Sequence, residues 1–224
     1  MGFEQEIAEK GIVLSAALYG DYGKRLIILT ENLGRITVFA KNIRKQTSRL
    51  TAAGQSFVMG TFKLRPGRDS YTLVAADIDN SFLELSYDMD KFSLASYFCE
   101  FASYYTREGL AAADELNLLY LAFKALIRDN ISDRTVRLIY ELKFMDIEGE
   151  VPEVASFTRI TEEERFVLNN ILSLPISRVF SFNLTEELLT GMEKISGSLI
   201  RKNVDKEFKS LDVMKNLDVV IKQS

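Results

Sequence analysis

The chain has 224 residues, 47% of them hydrophobic, with 28 lysines and arginines against 32 acids, one cysteine and no histidine. That length buries a real core as one large domain or two small ones, and the apolar content argues against disorder. The missing histidine excludes Ser-His-Asp and Cys-His catalysis and imidazole metal ligation.

The N-terminal "MGFEQEIAEKG" carries acids where a signal peptide needs a basic region, and no apolar run approaches the ~18 residues of a membrane span. Gly2 follows Met1, but Glu6 stands where a myristoylation signal needs serine or threonine. A cytoplasmic protein is expected, with no membrane association. The lone Cys99 lies in the apolar "ASYFCEFASYY" and reads as a buried small hydrophobe. With one cysteine and no histidine, no metal site or internal disulfide is expected. No phosphate-loop or dinucleotide glycine pattern appears, so no cofactor is expected, and an enzyme is the minority reading, with a glycosidase-like or magnesium-dependent carboxylate site the form it would take.

The first 80 residues read as β. "GIVLSAAL" (11–18), "KRLIILT" (24–30), "GRITVFA" (34–40), "SFVMGTFKLR" (56–65) and "SYTLVAADI" (70–78) are rich in β-branched and aromatic residues. The turn signals "YGDYG", "ENLG" and "RPGRD" separate them. In the third segment Ile36, Val38 and Ala40 alternate against Arg35, Thr37 and Phe39. Five strands in about 70 residues, with a longer loop after the third, suit a small closed barrel of the OB type, an SH3-like barrel being the alternative.

From about Asp88 the period becomes helical. Phe92, Ala95, Cys99 and Ala102 share one face, broadened by Phe98, Phe101 and Tyr105. Leu116, Leu119, Tyr120, Phe123, Leu126 and Ile127 mark a second helix. Val136, Ile139, Tyr140 and Phe144 mark a third, stopped by Gly149 and Pro152. Thr161 and Glu164 form a capping-box pattern opening a fourth, and a longer helix starts near Thr185. The expectation is an α+β chain: a barrel over residues 1–80 and an all-helical domain over 81–224.

Charge is unevenly spread. Residues 1–70 hold 11 basic and 6 acidic groups, whereas residues 71–170 hold 9 and 19. Between Glu31 and Asp69 no acid occurs, while Arg35, Lys41, Arg44, Lys45, Arg49, Lys63, Arg65 and Arg68 all do. Such a stretch on the third strand and following loop of a small barrel fits a polyanion, bound through its phosphates with little sequence preference. Tyr19, Tyr22, Phe39 and Tyr71 are available as stacking platforms. A protein-binding adaptor with a basic barrel is the alternative.

"GIVLSAALYGDYGKRLIILTENLGRITVFAKNIRKQTSRL" resembles the N-terminus of the bacterial RecO family of recombination mediators. Its carriers are Gly11-Ile12-Val13-Leu14, Tyr19 before an acidic turn, Leu33-Gly34-Arg35-Ile36 and above all "AKNIRKQTSR", where Asn42 replaces the family's usual glycine. "IYELKFMDIEG" and "DKEFKSLDVMKNL" resemble later family segments. Two departures stand out. "EVPEVASFTRITEEERF" holds none of the four zinc-binding cysteines many members carry, and Leu138 stands where members often have arginine.

The resemblance implies a non-enzymatic DNA repair and recombination protein, associated with the nucleoid. It would bind single- and double-stranded DNA, anneal complementary strands, bind the C-terminal tail of the single-stranded-DNA-binding protein SSB, and work with RecR to load RecA. Arg35, Lys41, Arg44, Lys45 and Arg49 are the expected phosphate contacts, with Lys24, Arg25, Arg65 and Arg68 on the rim and Tyr19 and Phe39 beside them. An acidic SSB tail would need cations on the helices, and Lys124, Arg128, Arg134 and Arg137 are the candidates.

Overall fold

The structure, a computed structural model, describes residues 5–45, 48 and 50–211. Its first part is a barrel of five strands: β1 (Ile7–Tyr19), β2 (Gly23–Thr30), β3 (Gly34–Ala40), β4 (Met59–Pro66) and β5 (Tyr71–Asn80). The barrel closes in the order β1-β2-β3-β5-β4. Its neighbours are antiparallel except β3 and β5, which meet in parallel at Val38–Tyr71 and Phe39–Thr72. This is an OB-fold barrel.

Period-two alternation builds its interior. Val13, Leu26, Ile28, Ile36, Val38, Phe62, Leu64 and Leu73 point inward and form the core, while Arg35, Thr37 and Phe39 stay partly exposed between them. β1 begins four residues before the sequence pattern indicates, because its first half pairs with β4 from Ile7–Leu64 to Ile12–Met59.

After Asn80 the chain turns helical. Among the described residues the helices are α1 (Met89–Tyr105), α2 (Ala113–Arg128), α3 (Asp133–Ile147), α4 (Glu162–Ser173) and α5 (Glu186–Asn203). Side-chain caps set four of the starts. Asp88 accepts from the backbone of Asp90 and Lys91, and Ser132 from Thr135. Thr161 and Glu164 complete the capping box, and Thr185 accepts from Leu188.

Residue contacts divide the chain into two compact units, Met1–Leu116 and Asn117–Ser224. In the first, α1 packs against β1, and the backbone at Arg107–Leu110 runs over the start of β3. Gly34 has φ 67°, and a Cβ there would lie 2.1 Å from the Arg107 carbonyl, so only glycine fits this crossing. Cys99 is buried in α1, and burial pushes its thiol pKa well above the ordinary value, which keeps it inert. Phe92 is the exception on its predicted face: it is largely exposed, with its ring edge-on to Phe57.

In the second unit α3, α4 and α5 pack on one another. α3 is buried nearly all round, so Leu138, Leu142 and Met145 join the four core positions its spacing predicts. Leu138 is only 1% exposed, so the position where the resemblance expects arginine faces the interior. The cysteine-free segment after α3 is tied down by Arg165, whose guanidinium donates to the Val154 and Phe157 carbonyls at 2.8 and 3.0 Å. No described helix is long and apolar enough to cross a membrane.

Candidate nucleic-acid interface

The β1–β2 turn and the loop leaving β3 come together at one end of the barrel. Antiparallel register sets this: Tyr19 pairs with Gly23, and Lys24 with Ala40, so the chain leaving β3 emerges beside the β1–β2 turn. Arg44 locks the two, its backbone N–H donating to the Tyr22 carbonyl at 3.0 Å and its guanidinium to the Asp21 carbonyl at 3.2 Å. Ile43 is the loop's anchor: it is buried in the barrel core. A Cβ on Gly54 would lie 2.5 Å from the Ile43 side chain, so glycine there makes room for that anchor.

With Ile43 turned inward, Lys41, Arg44 and Lys45 are all exposed. Asn42 adopts φ 56°, in the left-handed region that glycine and asparagine tolerate. The glycine-to-asparagine difference noted in the sequence is therefore compatible with the same loop shape.

Aromatic rings border the cations. Tyr19, 54% exposed, packs its ring 4.6 Å from that of Phe39 at an angle of 52°. The Lys45 ammonium stands 5.4 Å from the centre of the Tyr22 ring, a cation–π contact. Phe39 is on the outer surface, not in the core, and Arg25 is its exposed partner on β2. Arg25, Lys41, Arg44 and Lys45 have no ion-paired carboxylate among the described residues. Four uncompensated cations beside an exposed pair of rings can hold phosphates while bases stack. Arg49 lies outside the described residues.

The remaining predicted cations within the described residues have contacts of their own. Lys24 is half-buried and donates to the Gly54 carbonyl at 2.6 Å, stitching β2 to the far end of the loop. Arg35 sits at the opposite end of β3, roughly 20 Å from Lys41 at strand spacing. Its guanidinium donates to the Thr106 carbonyl at 3.1 Å and the Ser103 hydroxyl at 3.5 Å, closing the end of α1. Burial, with Arg107 nearby, lowers its pKa from the ordinary arginine value.

Arg65 occupies the rung that runs through Thr72 to Phe39, two strands or about 10 Å around the barrel. It is paired with Glu6 at 2.7 Å, and Glu6 also takes Lys63 at 2.8 Å. These two cations hold the Glu6 carboxyl below the usual glutamate range, Lys63 first and Arg65 second. Arg68 approaches Asp69 at 3.9 Å, both fully in solvent. Sequence reading missed Glu6 as a partner because it lies 59 positions from Arg65 (the signal is the β1–β4 register, which sets Ile7 against Leu64).

On the helices, Arg134 is fully engaged. It forks onto Glu193 at 3.0 and 2.7 Å and reaches Glu186 at 2.8 Å, which raises its pKa further above the usual range. Arg137 donates to Glu141 at 2.7 Å, and Glu141 in turn accepts from the Ser196 hydroxyl at 2.6 Å. Lys124 lies over the Tyr120 ring at 5.2 Å, and Arg128 is exposed. The four cations are thus divided between a carboxylate network joining α3 to α5 and the outer surface of α2. Among the described residues no group of histidine, cysteine and carboxylates is placed to hold a metal ion.

The family model described as "Recombination protein O N terminal" matches residues 4–82, the stretch that forms the barrel. A "DNA repair protein RecO" from Acetivibrio thermocellus is 23% identical across 93% of this chain and 96% of its own length. One from Caldicellulosiruptor saccharolyticus is 27% identical across 96% and 88%. The chain belongs to the RecO family of DNA repair proteins. A third RecO, from Alkaliphilus metalliredigens, is 31% identical over 67% of this chain and 61% of its own. Because the RecO match extends past the barrel into the helices, the helical part is covered by the relationship as well.

Proposed function

We propose that the chain is a non-enzymatic recombination mediator that binds single- and double-stranded DNA at the barrel tip. The observation that carries this reading is the group Arg25, Lys41, Arg44 and Lys45, exposed and without paired carboxylates among the described residues, beside the Tyr19–Phe39 rings. Phosphate neutralisation lets two complementary strands approach, and base pairing supplies the free energy of annealing, so no catalytic residue is needed. Membership of the RecO family supports the rest of the proposal: partnership with RecR, loading of RecA on SSB-coated DNA, and action at the nucleoid in the cytoplasm.

An SSB tail combines acids with apolar ends, so it needs arginine or lysine around an apolar pocket. Lys124 and Arg128 on α2 have no carboxylate partner among the described residues, whereas Arg134 and Arg137 would have to exchange glutamates for the tail. The test of the whole reading is binding of the full chain to labelled single-stranded DNA, titrated with salt. Binding with a steep loss of affinity as salt rises is expected. Absence of binding at low salt would return the basic barrel to the role of a protein adaptor.

A further inference from the structure

A groove of about 600 Å³ opens between α4 and the segment leading into α5, wholly within the second unit. Phe166 and Val167 form one wall, Phe182 and Leu184 the other, and Leu188 the end. Phe166 is 67% exposed, an unusual cost for a phenylalanine on an amphipathic helix whose opposite face is buried. Asn183 fixes the second wall: its side-chain amide donates to the Asn130 carbonyl at 2.9 Å and its oxygen accepts from the Ser132 N–H at 3.2 Å. The groove is therefore a formed feature with aromatic rings on both sides, of the size that recognition pockets have.

Its charge decides the occupant. Glu162 and Glu163 line the mouth, and no lysine or arginine lines any part of it. The Glu162 carboxylate is 91% exposed, with only a 3.7 Å approach from Arg165, whose other nitrogens are turned to backbone carbonyls. An acidic segment would meet repulsion here, whereas a cationic one gains at the rim what its apolar side chains gain on the walls.

We propose that the α4–α5 groove is a docking site for a partner polypeptide segment that alternates bulky apolar side chains with lysine or arginine. This site is distinct in chemistry from any that would take an acidic tail. Phe166 and Phe182 receive the apolar side chains, and Glu162 and Glu163 receive the cations. The carboxylates set which partners are admitted, and the rings supply the affinity.

The test uses the full chain and two labelled amphipathic peptides, one of leucine and lysine and one of the same pattern with glutamate for lysine. The leucine–lysine peptide should bind and the leucine–glutamate peptide should not. Phe166→Ala should weaken binding about tenfold or more, since an exposed ring contributes little to folding but anchors the ligand. Glu162→Lys with Glu163→Lys should reverse the preference between the peptides. Circular dichroism on each variant confirms the fold is kept. Equal binding of both peptides, or binding indifferent to Phe166 and to the charge reversal, would overturn the proposal. Failure of the unaltered chain to bind either peptide would also overturn it, whether its own last residues or a second copy fills the groove.

Discussion

The barrel tip and helix α3 use the same side chain in opposite circumstances. Arg25 and Arg44 stand in solvent with no carboxylate paired to them among the described residues, and the Arg44 guanidinium donates to a backbone oxygen. Arg134 and Arg137 are both held by glutamates, one on two carboxylates from α5 and one on the nearly buried Glu141. Both regions hold basic residues that the sequence offers as binding candidates. Only the first retains charge that a phosphate could neutralise, because the acids that cancel the second arrive from residues 4 to 59 positions away. Charge available for binding is thus a property of pairing in the fold, and a count along the chain overstates it.

The largest effect that sharpens this contrast is expected at Arg137. Glu141 is 4% exposed and also accepts from the Ser196 hydroxyl, and removing the Arg137 guanidinium takes the charged partner from a buried carboxylate. Arg137→Ala should cost about 3 kcal/mol in urea unfolding, at the low end for a broken buried pair because the arginine is partly in solvent. A loss below about 1 kcal/mol would show that α3 does not depend on the pair.

Arg35 comes next. It was expected among the phosphate contacts, yet its guanidinium holds Thr106 and Ser103. Arg35→Ala should lower stability by about 2 kcal/mol, the scale of a charged hydrogen bond lost, while leaving the salt dependence of DNA binding unchanged. A shallower salt dependence in a fully folded variant would place Arg35 back in the interface.

Tyr19→Ala should weaken single-stranded DNA binding by about 1 kcal/mol, the lower range for one stacked base, without altering salt dependence. Smaller still is the effect of Glu6. Glu6→Gln should leave stability close to that of the unaltered chain, as for an exposed site. It releases Lys63 and Arg65, so it should steepen the salt slope if either reaches DNA. The sign with pH follows from the lowered Glu6 pKa: the pairing is present above the ordinary glutamate value and is lost as pH falls through the lowered one. Carboxyl titration by NMR should show Glu6 protonating at lower pH than an unpaired glutamate.

The strands and helix starts were legible because each has a local cause. Alternation of Ile36, Val38 and Ala40 is the barrel's inner face, and Thr161 with Glu164 is a capping box in sequence and in structure. The tip was legible too, since Lys41, Arg44 and Lys45 lie within five positions and only one anchor, Ile43, has to turn inward between them. What stayed hidden depends on distant register. Nothing near Arg65 announces Glu6, nothing near Lys24 announces the Gly54 carbonyl, and Arg35 differs from Arg25 only in lying at the end of the barrel that α1 covers. The burial of most of α3 was likewise hidden, because Glu141 and Lys143 look like solvent positions until Arg137, Ser196, Asp146 and the Leu172 carbonyl are seen around them.

The central claim is that the loop after β3 turns an acidic chain into a DNA binder. Its most direct test is the salt slope of single-stranded DNA affinity for the chain with Arg44→Ala and Lys45→Ala together. Each phosphate released should make the slope of log affinity against log salt shallower by about 0.7, so about 1.4 is expected for the pair. Both side chains are exposed, and stability should change by no more than about 0.5 kcal/mol per substitution. A folded double variant whose slope matches that of the unaltered chain would contradict the account and show that phosphates bind elsewhere on the molecule.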